Sequence, residues 1–371
     1  MTKPAPLHGL KVVELARILA GPWAGQVLAD LGAEVIKVES PAGDDTRKWG
    51  PPFVENPDGS QDAAYFHAAN RGKSSVVIDF TTPEGQAQVR ELVRDADVVI
   101  ENFKLGGLAK YGLDYASLSA LNPRLVYCSI TGFGQDGPYA SRAGYDFIVQ
   151  GMSGMMDITG EPDGPPMKIG VAYADILTGL YAVIGIQAAL RQRETSGRGQ
   201  LVDMALFDVM VGTLANQAMN CLVSGDAPKR LGNAHPNIVP YEAYPTEDGW
   251  VIIAVGNDAQ FIRLAQLLGL ETKPEWATNA GRVGDRAAVS PAVAKKTRGW
   301  RRDALLAALE EKGIPAGPIN TVAEALADPQ IDARGMVLEM ERGIRGLRTP
   351  IRFSDAELAL GKPSPTLGES E

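Results

Sequence analysis

The sequence predicts an α/β protein, with a Rossmann-like, parallel, doubly wound sheet in a large domain and a second, smaller α/β domain. Three observations carry this. Short β-branched runs alternate with amphipathic helical stretches over the first 135 residues. Beyond residue 140 the pattern gives way to long apolar stretches, and a smaller strand–helix pattern occupies residues 250–312. A chain of 371 residues has room for two or three domains.

Residues 11–15 (KVVEL) form the first strand, and Gly21-Pro22 opens a helix where a missing backbone donor costs nothing. Ala24, Val27, Leu28 and Leu31 recur at helical spacing and give it a buried face, and Gly32 closes it. Residues 34–39 are the second strand and 76–80 the third. Thr82-Pro83-Glu84 then starts a helix whose Val89, Leu92, Val93 and Ala96 share one side. Residues 98–101 and 125–130 complete five strands, with a short helix over 114–121 between the last two. Strands alternating with helices call for crossover connections and a parallel sheet.

Residues 176–190 are apolar on all sides, which predicts a helix buried in a core or interface. The charged stretch RQRETSGRGQ (191–200) reads as a boundary, 206–223 as a second apolar helix, and 224–237 as polar loop. A strand over 250–255 and helices over 259–268 and 300–312 build the smaller region, followed by GIPAGPIN (313–320). The expected organisation is therefore a large domain from residues 1–194 and 328–371, a linker helix over 195–228, a small domain over 229–312 and a linker over 313–327.

The chain has 36 Lys and Arg against 45 Asp and Glu, a formal charge of −9. That balance argues against nucleic acid or a membrane surface as partner and leaves room for a local basic pocket holding one anion. Two cysteines and three histidines make neither a disulfide framework nor a Cys/His metal site, so no metal is expected. Residues 1–15 mix Pro, Lys, His and Glu with apolar residues and do not read as a signal peptide. The longest uncharged run, 209–225, contains Asn216, Gln217 and Asn220 and is too short and polar to span a bilayer. A soluble, cytoplasmic protein is expected.

The usual nucleotide fingerprints are missing. The first strand leads into ARILAGP (16–22) instead of a G-x-G-x-x-G turn. Gly72-Lys73-Ser74 lacks the earlier glycine of a phosphate loop, His67 standing in its place, and a strand follows instead of a helix. No G-x-S-x-G elbow or H-E-x-x-H pair occurs. One candidate nucleophile remains: Asp175, the last charge before the apolar helix. Its local sequence fits a helix N-cap. A carboxylate there is expected to be held ionised by the helix dipole and to need no base to become a nucleophile.

Several segments, in order and at these spacings, resemble the class III CoA-transferases, the family of formyl-CoA transferase and the carnitine CoA-transferases. They are GLKVVEL (9–15), AGP (20–22), DLGAEVIKVE (30–39), VIENF (99–103), SITGFG (129–134) and TSGRGQ (195–200). The likeness runs from Leu7 to about Gly368. GDDTRKWGPPF (43–53) and RLGNAHPNIVPY (230–241) resemble the succinate–hydroxymethylglutarate subgroup. The resemblance implies an aspartyl nucleophile at Asp175 that forms an acyl anhydride and then a thioester with CoA. CoA enters as part of the acyl-CoA substrate, and no permanently bound cofactor is implied. It also implies an interlocked homodimer, in which two ring-like subunits pass through each other.

By the same resemblance, CoA lies against Ile18, Leu19 and Ala20, Ser40, Ile78, Asp79, Phe80 and Thr81, Asn102, Phe103 and Lys104, Lys110, and Ala143, Gly144, Tyr145 and Asp146. Ser40 stands where relatives carry Arg, so the phosphate charge is assigned to Arg47, Arg71 or Lys73. Trp49 lines the acyl pocket, while Gly232 and His235 belong to a glycine-containing loop near the site, whose backbone donors suit a tetrahedral oxyanion. Tyr145 stands where the α-methylacyl-CoA racemases of this fold carry a His. Racemisation needs an acid and a base on opposite faces of a carbon, and tyrosine, with an ordinary pKa near 10, is a poor base. Transfer is favoured over two alternatives, an epimerase and a catalytically silent CoA-binding protein.

Overall fold

The structure is a computed structural model that describes residues 3–370. Its described residues divide into two compact units: 3–155, 168–225 and 329–370 make the first, and Met156–Met167 with Asp226–Asp328 make the second.

The first unit is organised around one sheet. Strands β1 (Lys11–Glu14), β2 (Glu34–Glu39), β3 (Ser74–Val77), β4 (Val98–Glu101), β5 (Val126–Thr131) and β6 (Leu201–Ala205) lie in the order β3-β2-β1-β4-β5-β6. Every neighbouring pair is parallel. The order reverses between β1 and β4, which creates a crevice outside their carboxyl ends. Side chains alternate between the faces, as the pleat requires. Val12, Val98 and Ile100 point into a core shared with helices α1 (Ala20–Asp30) and α6 (Tyr173–Ser196). Val13, Val38 and Val99 enter another core with Val89 and Val93 of α3 (Pro83–Arg94) and Leu118 of α4 (Tyr115–Leu121). Between β2 and β3 lie a hairpin of Phe53–Glu55 with Gln61–Ala63 and the single-turn helix α2 (Ala64–His67). Helix α5 (Asp146–Met152) precedes α6.

The first unit differs from the sequence expectation in four places. The third strand begins two residues early, at polar Ser74, because Ser75 donates to the Glu39 carboxylate (2.7 Å) inside the sheet. It ends early because Asp79 accepts from both the N–H and the hydroxyl of Thr81 and turns the chain. The sheet has a sixth strand, β6, where a linker was expected; Gly199 enables it, since a Cβ there would lie 1.9 Å from the Leu125 carbonyl. Helix α6 runs on to Ser196 and ends at Gly197 in a left-handed conformation (φ 73°). The apolar stretch after β6 is two helices, α7 (Leu206–Gly212) and α8 (Ala215–Ser224), bent by 71° at the break.

Helix α6 is long and apolar enough to cross a bilayer, but it packs on α1, α5, α7 and β6. It is not wholly buried within the chain: Leu180, Tyr181 and Ile184 are exposed, as are Met219, Leu222 and Val223 of α8.

Charges run deep beneath β1 and β2. Glu14, fully buried, faces Lys37 (3.1 Å) and Lys73 (2.8 Å), and Lys37 also meets Asp44 (2.9 Å). Arg47 bridges Glu39 and Asp62 (2.7 Å each), and Arg71 pairs with Asp30. Burying an ion costs several kcal/mol unless a partner and further hydrogen bonds are supplied, and here they are. Gly25 of α1 leaves the room: a Cβ at that position would lie 1.8 Å from the Glu14 carboxylate.

The second unit holds an antiparallel sheet of β7 (Tyr241–Pro245), β8 (Trp250–Ala254) and β9 (Ala316–Pro318), in the order β9-β8-β7. Helices α9 (Asp258–Leu268), α10 (Arg286–Thr297) and α11 (Arg302–Glu311) supply Phe261, Leu264, Val289, Val293, Leu305 and Leu309 to its core. The segment expected as a linker after residue 313 thus contains an edge strand and the short capped helix Val322–Leu326.

Candidate active site

Asp175 sits in the first turn of α6, but it is not the N-cap. That position is Ala172, which has no side chain to offer. The capping is done from α5: the Asp146 carboxylate accepts the backbone N–H of Ala174 (2.8 Å) and, more weakly, of Asp175 (3.4 Å). The second oxygen of Asp146 accepts from Gln150 (2.8 Å), whose carbonyl in turn accepts the N–H of Ile169 (3.0 Å). Asp146 therefore serves the helix end.

Freed from capping, the Asp175 carboxylate accepts no hydrogen bond from the described residues. Burial, reinforced by the charge of Asp146, pushes its pKa up to about 7. This corrects the expectation of a carboxylate held ionised by the helix dipole. The N–H groups that carry the positive end of that dipole are occupied by Asp146, so Asp175 pays the burial penalty without the compensation.

Two aromatic side chains stand beside this corner. The hydroxyl of Tyr65, on α2, has its pKa raised by burial and by the charges of Asp175 and Asp146. Trp49 packs edge-on against the Tyr65 ring, with centroids 5.3 Å apart and planes at 70°. Trp49 is thus brought to the Asp175 corner through Tyr65, a residue the sequence does not single out. Tyr145 lies at the N-cap of α5 with 63% of its surface exposed, and it places no imidazole opposite Asp175.

The expected CoA residues of the first unit gather at the sheet reversal. Asn102, just after β4, accepts the N–H of Arg17 (2.9 Å) and donates to its carbonyl (2.7 Å), tying the turn after β1 to the end of β4. Ile18 has a left-handed backbone, φ 71°, and its N–H reaches both oxygens of Asp44 (3.2 and 3.3 Å). Arg17 lies over the Phe103 ring at 5.4 Å. Phe80 meets Phe103 and Tyr111 edge-on (5.8 and 5.6 Å), and the Lys110 ammonium sits 4.6 Å from the Tyr111 ring. Ile18 to Ala20, Ile78 to Thr81, Asn102 to Lys104 and Lys110 therefore form one neighbourhood. Lys104 and Leu105 line a cleft of about 200 Å³ with Glu101, whose burial raises its pKa to about 7.

Ala143 and Gly144 are held close to the end of β5. A Cβ on Gly132 would lie 2.4 Å from the Gly144 Cα, so backbone packs on backbone with no side chain between. The α1–α6 contact is equally close. A Cβ on Gly179, one turn after Asp175 on the same helix face, would lie 2.7 Å from the Ala20 carbonyl. The start of α1 thus rests against α6 one turn from Asp175.

Other expectations are redirected. Arg47, Arg71 and Lys73 are all buried in internal ion pairs and present no charge to an outside phosphate. Half-exposed Arg17, paired loosely with Asp45 (3.3 Å), is a cation the crevice presents beside the exposed Lys104 and Lys110. Ser40 is exposed, and its hydroxyl makes a long bond to the Gly43 carbonyl (3.4 Å) while its own carbonyl accepts the Gly43 N–H (2.8 Å). Gly232 and His235 lie in the second unit. The Gly232 N–H is already donated to the Gly160 carbonyl (3.0 Å), so that amide is not a free oxyanion donor. His235 accepts the Asn237 N–H at Nδ1 (3.1 Å) and packs on Tyr241, with ring centroids 5.2 Å apart.

The sequence profile described as CoA-transferase family III matches residues 7–371. This chain belongs to that family. It is 60% identical to a succinate–glutarate CoA-transferase of Agrobacterium fabrum, over 99% of this chain and 94% of the relative. It is 39% identical to the human succinyl-CoA:glutarate CoA-transferase, over 100% of this chain and 85% of the relative. The crystal structure of a CAIB/BAIF family protein from Brucella suis superposes with a TM-score of 0.90 at 64% identity, covering 99% and 97% of the two chains. Rv3272 from Mycobacterium tuberculosis superposes with a TM-score of 0.88 at 32% identity, covering 99% and 98%. The class III CoA-transferase resemblance and the α/β fold read from the sequence are both borne out.

Proposed function

We propose that this CoA-transferase moves CoA from succinyl-CoA to glutarate or a dicarboxylate of similar size, with Asp175 as the covalent nucleophile. One observation carries the mechanism: the Asp175 carboxylate is partly buried at the start of α6, with its pKa raised to about 7, and accepts no hydrogen bond among the described residues. The donor and acceptor are supported by the relatives that carry those substrates in their names.

In the first step, ionised Asp175 attacks the thioester carbonyl of succinyl-CoA and expels CoA thiolate, leaving a succinyl–aspartyl anhydride. The thiolate attacks the aspartyl carbonyl and releases succinate, and an aspartyl–CoA thioester results. The acceptor carboxylate attacks that thioester, giving a second anhydride and thiolate. The thiolate then takes the acceptor's acyl group and frees Asp175. One thioester replaces another, so no ATP is consumed, in keeping with the missing phosphate loop. CoA lies along the β1–β4 crevice against Ile18 to Ala20, Ile78 to Thr81, Asn102 to Lys104 and Lys110, with Arg17 supplying phosphate charge. Trp49 and Tyr65 flank the acyl end. The placement of Gly232 and His235 near that end rests on the family resemblance alone. The exposed apolar faces of α6 and α8 support a homodimer of the interlocked kind, since surfaces of this character are normally covered.

Turnover of succinyl-CoA with glutarate, quenched in hydroxylamine or borohydride, should leave a mass-shifted peptide containing Asp175. Asp175→Ala should lose both the adduct and at least about a thousandfold in kcat. A fully active Asp175→Ala variant would overturn the mechanism. Exchange of the substrate α-proton with deuterated water, with no need for an acceptor acid, would favour an epimerase instead.

A further inference from the structure

We propose that Asp44 is a positioning residue for CoA transfer: its carboxylate holds Ile18 in the left-handed conformation that shapes the crevice rim beside Asp175. The inference rests on the CoA-transfer reading above and extends it to a residue outside the expected binding set.

Ile18 is the odd residue for its place. A φ of 71° suits glycine, whereas a β-branched side chain is strained there. Such a conformation persists only when its surroundings impose it. Here the imposition is traceable. Both Asp44 oxygens accept the Ile18 N–H (3.3 and 3.2 Å), the Asn102 side chain clamps both backbone groups of Arg17, and Lys37 donates to the Ala16 carbonyl (2.9 Å). Three consecutive residues are thus pinned by three different side chains.

Asp44 is itself immobilised. Lys37 meets it at 2.9 Å, the N–H and hydroxyl of Thr46 bond to it (3.0 and 2.8 Å), and its own N–H is held by Glu39 (2.9 Å). Its side chain is fully buried. Lys37 is anchored in turn on Glu14. The strain at Ile18 is therefore carried by a buried, charged scaffold. Two residues on, the Ala20 carbonyl rests against Gly179, one turn from Asp175. Turning Ile18 back to an ordinary φ would move the start of α1, and the crevice rim with it, relative to the nucleophile.

Asp44→Asn separates the two duties of the carboxylate. One oxygen remains, so the amide satisfies either Lys37 or the Ile18 N–H and turns an NH2 group toward the other. Ile18→Gly removes the strain, because glycine adopts the left-handed conformation without being forced. The test is a double-mutant cycle of these two changes, read on kcat/KM for succinyl-CoA and on CoA affinity by calorimetry. Asp44→Asn should lower kcat/KM and weaken CoA binding by about tenfold or more with isoleucine at 18, and by less than about threefold with glycine there. Equal losses in both backgrounds, or no loss in either, would overturn the proposal. Should Asp44→Asn fail to fold, hydrogen exchange at the Ile18 amide of the unaltered protein decides: slow exchange is required, and exchange as fast as an open loop refutes the clamp. If the unaltered protein moves no CoA between succinyl-CoA and glutarate, the functional reading falls, and the CoA-affinity cycle still judges the clamp.

Discussion

Two aspartates in the first unit, Asp44 fully buried and Asp175 partly so, have opposite fates. Asp44 is driven down to about pKa 2, because Lys37 and the donors of Thr46 overcome its burial. Asp175 is driven up to about 7 by desolvation of its carboxylate and by the like charge of Asp146, with no donor among the described residues to offset them. Both start from the same ordinary carboxylate value, and burial opposes ionisation in both. The difference lies in who holds the hydrogen-bond donors. At Asp44 the protein supplies every partner the charge asks for, and at Asp175 it gives the helix N–H groups to Asp146. A carboxylate with its lone pairs committed is scaffolding. One left uncommitted is reactive.

The contrast can be broken from either side. The largest effect should come from Lys37→Met, which strands Asp44 without a cation and leaves Glu14 with Lys73 alone. It should cost about 3–5 kcal/mol of unfolding free energy in denaturant titration. A loss below about 1 kcal/mol would mean the buried charges are not the scaffold described.

Asp175→Asn should act in the opposite direction. Because the folded pKa of Asp175 lies above its unfolded value, its ionisation penalises folding. That penalty is absent below about pH 3.8, grows as pH rises toward about 7 and is complete above it. The asparagine variant should be more stable than the parent at pH 8 by roughly 2–4 kcal/mol, and little different at pH 3.5. Asp44, with its depressed pKa, has the reverse linkage: its contribution is full above about pH 3.8 and is lost as pH falls toward about 2.

Activity should follow the same ionisation. The rate should rise with pH through about 7 as Asp175 deprotonates, and removing the like charge should ease that step. Asp146→Asn keeps a carbonyl oxygen for the Ala174 N–H, gives up the bond from the Gln150 amide, and removes the like charge beside Asp175. Its pH–rate midpoint should fall by about half a unit to one unit. An unmoved midpoint would assign the whole shift at Asp175 to burial. The smallest effect is expected for Tyr65→Phe, which keeps the packing on Trp49 and removes the hydroxyl beside Asp175. About a three- to tenfold loss in kcat with folding stability unchanged would give that hydroxyl a part in transfer.

The sheet was legible because its central strands are β-branched runs buried on both faces, as at Val12-Val13 and Val98-Val99. Ser74 and Ser75 hid the start of β3, since polar residues enter a strand only where a buried partner such as Glu39 awaits them. Asp175, the proposed nucleophile, stands out in the sequence as a lone acid before an apolar helix, and the family resemblance points to the same residue. Its ionisation was not legible. The competing cap, Asp146, lies 28 residues earlier in the chain, and no local pattern reveals which of two acids takes the N–H groups. Tyr65 and Arg17 were missed for a related reason: each owes its place to tertiary contacts, with Trp49 and with Asn102.

Gly179 carries a consequence for speed. With the Ala20 carbonyl seated directly on the α6 backbone, no flexible side chain lies between the rim of the crevice and the helix that bears Asp175. In the proposed reaction, the separation between a thioester lying on that rim and the Asp175 carboxylate would be fixed when the chain folds, not searched for in each encounter. Such prior alignment removes part of the entropy that a two-body reaction must otherwise lose on the way to its transition state.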